Sequence, residues 1–170
     1  SIQLRETFVE IFEEDDLRFN NWISYHNEEE AFFAYKYKVW NTSEFPIEEY
    51  SMVLRLAEQY LIRAEARARQ GNISGAVEDL DIIRSRAGLS LIADTRPDIS
   101  QEELLDVIIE ERRKELFAEW GHRWLDLKRI NKAGEVLGQS KPMWEETDVY
   151  YPIPAEERRK NPNLDQNDGY

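Results

Sequence analysis

Cysteine is absent from this chain, which excludes disulfides and thiolate metal sites without identifying a compartment. Histidine occurs only at positions 26 and 122, and no H-E-x-x-H pattern is present, which removes the usual zinc-hydrolase signature. No apolar run is long enough to span a bilayer, and no secretory leader is legible. Basic residues are in the minority: 22 Lys and Arg stand against 35 Asp and Glu, a formal charge of -13. A field of that sign repels phosphate backbones, and no basic stripe is interleaved with aromatics, so nucleic acid is not an expected partner. The chain is rich instead in carboxylates and in rings, including five Trp. Its 170 residues suit a single domain with its own core.

Leu104, Leu105, Ile108 and Ile109 recur at helical spacing and define one apolar face. Carried forward, that face reaches Arg112, Glu115, Leu116 and Glu119, so three charged groups continue an aliphatic stripe. A lone charge is expensive to bury, and Arg112 should therefore meet Glu115, Glu119 or a carboxylate from another helix. The preferred reading is a buried ion-pair network that fixes helix docking; its rival is a catalytic carboxylate pair. Glu111, Glu115 and Glu119 follow one another at single-turn intervals, side by side, whereas glycosidases place two carboxyl groups across a sugar site. His122 and Asp126 have an i, i+4 spacing that can hold a metal, but the plainer role for His122 is a hydrogen bond that fixes a bend after Gly121. The expected structural network is thus Arg112, Glu115, Glu119, His122, Trp124 and Asp126, with Trp120 and Trp124 as core or docking residues. No catalytic residue, metal or cofactor is expected.

Residues 2–14 read as a short helix, and 22–25 with 31–40 as two strands of a hairpin, since Phe33, Tyr35, Tyr37 and Val39 alternate with smaller or charged residues. Residues 41–46 read as a linker. A helix is expected over 53–70, followed by a Gly71-Asn72 turn. Ser74 would then cap a second helix that buries Ala76, Val77, Leu80, Ile83 and Ala87 and ends at Gly88. Two amphipathic helices about such a turn, roughly 34 residues in all, have the shape of one tetratricopeptide repeat, which needs neighbours to bury both faces. Ser100 with Glu103 forms a capping box that starts the next long helix. After Gly121 come a short helix over 123–130, a loop through Trp144, and a tail held extended by Pro152, Pro154 and Pro162 with one turn at 155–159. The fold class is therefore mainly α: a tetratricopeptide-like helical hairpin layer, a small β-hairpin and an extended C-terminal tail. The divisions are 1–50, 51–89 and 90–170 within one domain.

Asp165 to Gly169 resembles the start of a calcium loop, but its glycine falls one position early and the closing glutamate is missing. Asn41-Thr42-Ser43 and Asn72-Ile73-Ser74 fit the glycosylation sequon. Sugar recognition uses an aromatic face with polar groups around it. The candidates outside confident helices are Trp144, Trp40, Trp22 and Tyr25, and for Trp144 the favoured alternative is that it pins its own loop.

Four blocks resemble a known family in order and spacing: R-L-A-E-Q-Y-L-I-R-A-E-A from Arg55, D-L-D-I-I-R-S-R-A-G-L from Asp79, E-R-R-K-E-L-F-A-E-W-G-H-R-W-L-D-L-K-R from Glu111, and Y-P-I-P-A-E-E from Tyr151 with the closing N-P-N-L-D-Q-N-D-G-Y. The first fifty residues match loosely, through E-D-D-L-R-F from Glu14 and the pair Lys36-Tyr37. The chain resembles the C-terminal portion of the SusD/RagB family, nutrient-binding lipoproteins of the outer membrane of Bacteroidetes-type bacteria. The resemblance implies non-catalytic capture of a nutrient, a glycan above all, at the cell surface. It further implies delivery to a SusC-like TonB-dependent transporter, a lipid anchor lying upstream, and a glycan site built largely by the more N-terminal region. The rival readings are a tetratricopeptide-type protein-interaction scaffold, which predicts further tandem repeats, and a glycoside hydrolase, which predicts cleavage lost on changing Glu115.

Overall fold

The computed structural model describes residues 3–39 and 49–170; Trp40 and the linker expected over 41–46 lie outside them. The described residues are mostly helical, with one small antiparallel sheet among them. It divides into two compact units, Ser1–Trp120 and Gly121–Tyr170. Among the described residues no helix is long and apolar enough to cross a membrane.

The first unit begins with α1 (Glu6–Val9) and α2 (Leu17–Trp22), followed by β1 (Ile23–His26) and β2 (Ala31–Ala34). Helix α1 is far shorter than the periodicity of residues 2–14 suggests, because Gln3 and Leu4 are drawn to the sheet: Leu4 N donates to Phe32 O at 2.7 Å. Strand β2 likewise stops well before residue 40. Its last residue, Ala34, pairs with Ile23, and the residue before Ile23 is already helical, so no partner strand remains. Phe8, Ile23 and Phe117 are buried here, packed by Phe12, Phe19, Trp22 and Phe32.

Helices α3 (Leu56–Arg69) and α4 (Ile73–Arg86) form the helical hairpin and bury Leu61, Ala64, Ala68, Ala76, Leu80 and Ile83 together with Leu104 and Ile108 of α6 (Gln101–Glu115). The small alanines let the helices close on one another. Helix α3 starts at Leu56, not Val53, because Arg55 is held extended (φ -120°, ψ 135°) with its guanidinium committed elsewhere. The cap of α4 is Asn72, whose side chain accepts from Gly75 N at 3.0 Å; Ser74, two residues on, lies inside the first turn. Helix α5 (Ile92–Thr95) has no cap in its own sequence. Asp81 of α4 supplies it, accepting from Ile92 N at 2.7 Å and Ala93 N at 3.1 Å, a signal that local reading cannot see. The capping box of Ser100 and Glu103 at the head of α6 is present.

Gly88 ends α4 at φ +78°, and a Cβ there would come within 3.1 Å of Leu17 Cγ while Leu17 N donates to Ala87 O at 3.0 Å. Gly88→Ala is therefore expected to cost at least about 1 kcal/mol, read from the urea midpoint. A neutral result would show that this joint yields freely.

Helix α6 stops at Glu115, earlier than Gly121, and the chain continues through left-handed Ala118 (φ 57°), Trp120 (φ 38°) and Gly121 (φ 73°). The second unit comprises α7 (His122–Arg129), α8 (Ala133–Gly138) where a loop is expected, a 3-10 turn at Glu146–Val149 and α9 (Ala155–Lys160). Its tail is tied back by side chains: Gln166 bonds Ile153 N and O at 2.7 and 3.1 Å, and Asn167 donates to Tyr151 O at 2.7 Å.

Candidate functional site

The last turn of α6 and the residues after it carry an enclosed lattice of charges. Glu115 has no exposed side-chain surface. One of its carboxylate oxygens pairs with Arg55; the other accepts from Arg86 at 2.5 Å and Arg18 at 3.3 Å. Arg18 also donates to Asp16 at 2.8 Å and is ion-paired with Glu111 at 2.5 Å. Glu119 accepts from Lys36 at 2.7 Å and Arg55 at 3.1 Å, and both cations also donate to the carbonyl of Glu115, at 2.6 and 3.0 Å. Arg84 joins Glu111 (3.4 Å) to Glu13 (2.9 Å). The Trp22 ring is the platform beneath these cations, with Lys36 Nζ 4.6 Å, Arg55 5.4 Å and Arg86 5.8 Å from its centroid. Such contacts strengthen as water is excluded.

Burial works against the Arg18 guanidinium, but the bonds from Asp16 and the charges of Glu111 and Glu115 outweigh it, so its pKa rises. At Lys36 the balance reverses. Burial is the larger influence and pulls the ammonium down to about 8, with Glu119 only partly offsetting it against the repulsion of Arg55. Between about 8 and the ordinary lysine value of 10.5 the unfolded chain binds more protons than the native one, so the contribution of Lys36 to stability rises with pH across that window. Urea titrations on either side of the window check this: the wild-type chain gains on Lys36→Met as pH rises. A relative loss would mean that ion pairing dominates burial.

The structure divides the residues singled out from sequence between the two units. Arg112 is buried and stands 3.8 Å from Glu58 of α3. Trp120 is 60% exposed, and its indole donates to Met52 O at 2.9 Å, so it is not a core residue. His122 opens α7, where Asp126 is buried and accepts from Arg129 Nε at 2.8 Å. Trp22 lies within the charge lattice, and Tyr25 is an exposed ring set edge-on to Phe32 at 4.9 Å. Sequence reading missed Arg18, Lys36, Arg55 and Arg86 as members of the lattice. The available signal was that each sits in a block already singled out by resemblance and carries the sign opposite to the α6 face.

Each unit carries a groove among its described residues. That of the first unit, about 550 Å³, is lined by Glu13, Arg84, Glu110, Glu111 and Lys114, whose charges already bond one another. That of the second, about 380 Å³, is lined by Trp124, Lys141, Met143, Trp144, Asp148 and Tyr170.

The SusD family model matches residues 30–170, beginning earlier than the sequence blocks that start at Arg55. SusD-like protein P38 of Formosa agariphila is 37% identical over 124 residues, covering 70% of this chain and 24% of its own length. The starch-binding protein SusD of Bacteroides thetaiotaomicron is 34% identical over 129 residues, covering 69% of this chain and 21% of its own. The chain thus spans about a quarter of the length of the curated relatives it matches. A SusD superfamily protein of Bacteroides thetaiotaomicron of known structure superposes with a TM-score of 0.68 at 26% identity, over 99% of this chain and 38% of that one.

Proposed function

The chain belongs to the SusD family, and on that footing we propose that it serves non-catalytic capture of a glycan at the cell surface. The glycan passes to a SusC-like TonB-dependent transporter in the outer membrane, and a lipid anchor outside these residues holds the protein there. The observation that carries the ligand class is the relationship to a protein whose name records starch binding. Geometry supports binding over hydrolysis. Glu115, the carboxylate a hydrolase reading would nominate, is enclosed and already accepts from three arginines, which leaves it no face to present to a sugar.

Native electrophoresis of the chain through starch-containing and starch-free gels tests the reading. Retardation in starch, with no new reducing ends released, is expected. A folded chain that migrates unretarded in starch and in gels of neutral xylan and galactan overturns the glycan reading, and released reducing ends overturn the non-catalytic one.

A further inference from the structure

We propose that the groove of the Gly121–Tyr170 unit is a saccharide subsite that receives a neutral pyranose unit of an oligosaccharide, an inference that rests on the glycan reading above. The rings of Trp124 and Trp144 stand 6.2 Å apart at 74°, so their faces form a corner. A pyranose laid with its C–H face on one indole meets the other ring at its edge. Trp124 is fixed before any ligand arrives: its indole N–H bonds the Tyr151 hydroxyl, Lys128 Nζ stands 5.3 Å from its ring centroid, and Tyr151 packs edge-on at 6.3 Å. A wall held in this way lowers the ordering cost of binding. The indole N–H of Trp144 differs from those of Trp120 and Trp124. It is enclosed and has no hydrogen-bond partner among the described residues, which marks a wall of this groove as polar but unsatisfied. Met143, 92% exposed at the rim, is an unbranched chain that can shift to admit a guest.

The polar members of the lining set the class of guest. One cation, Lys141, and one anion, Asp148, share the groove with Tyr170, whose hydroxyl donates to Tyr150 O at 2.9 Å. Balanced donors and acceptors suit the hydroxyls of an uncharged sugar. A formal charge of -13 over the whole chain opposes uronate or sulfated glycans. The volume of about 380 Å³ lies at the small end of the roughly 300–1,000 Å³ typical of small-molecule sites, which fits the end of an oligosaccharide and not a folded partner.

The test is a titration of the isotopically labelled chain with maltoheptaose, following the indole N–H resonances assigned by single Trp→Phe variants. The resonances of Trp124 and Trp144 are expected to move while those of Trp22 and Trp120 stay. Asp148→Asn, which keeps the shape of the site, is expected to weaken binding by about tenfold, as is Trp144→Phe. An oligogalacturonate of equal length binds more weakly still. A chain retarded by starch whose Trp124 and Trp144 resonances do not move overturns the subsite and leaves the glycan reading standing. A folded chain retarded by none of starch, xylan and galactan, and with no indole shift, overturns both.

Discussion

Glu115→Gln lowers the stability of the Ser1–Trp120 unit by about 3–5 kcal/mol, the range found when one member of a buried ion pair is removed. The substitution keeps shape and polarity and takes away only the charge, so the effect reads electrostatics and not packing. Three guanidinium groups lose their shared partner at once: Arg18, almost fully buried; Arg55, partly so; and Arg86, 46% exposed and able to turn to solvent. Most of the cost therefore falls on Arg18 and Arg55, whose remaining acceptors are Asp16 and Glu111 for the first and Glu119 with the Glu115 carbonyl for the second. Against a total stability of about 5–15 kcal/mol for an ordinary domain, such a loss removes a large part of the margin. Urea denaturation with the slope held in view measures it. A change under about 1 kcal/mol would place these contacts with solvent-screened surface pairs instead.

Leu80→Ala is expected to cost about 2–5 kcal/mol by a different route, loss of apolar burial plus the cavity left behind. Leu80 is wholly enclosed at the centre of the cluster that joins α3, α4 and α6, where Leu61, Leu104 and Ile108 are equally enclosed. Neighbours on three helices cannot all move inward to refill the space, which favours the upper part of that range. A loss under about 1 kcal/mol would show that the hairpin and α6 are not packed as a unit.

The two substitutions also mark what was legible in the sequence. Leu80 and its neighbours follow from helical periodicity, because an apolar stripe reports its own burial. The capping box at Ser100 and Glu103 was equally legible, since both halves lie within four residues. What periodicity could not supply is partnership across the chain. Glu115 could be placed on a buried face, but its partners come from α2, from the residue before α3 and from the end of α4, at sequence separations of 97, 60 and 29. The same blindness to distant partners hid α5, capped by Asp81, and shortened the expected β2, whose length is set by where α2 gives way to β1. Arg112 was readable further: its place on the buried face was legible, a carboxylate from another helix was among its expected partners, and Glu58 on α3 stands 3.8 Å from it. Of the aromatic residues, Trp144 reached a groove, while Trp22 became a floor for cations.

A clamp and a catalyst differ in one paired experiment: the melting midpoint of Glu115→Gln beside its release of reducing ends from maltoheptaose, each compared with the wild-type chain. A markedly lower midpoint for the variant and no release by either protein are expected. Release by the wild-type chain that vanishes in a variant melting at the wild-type temperature would contradict the clamp.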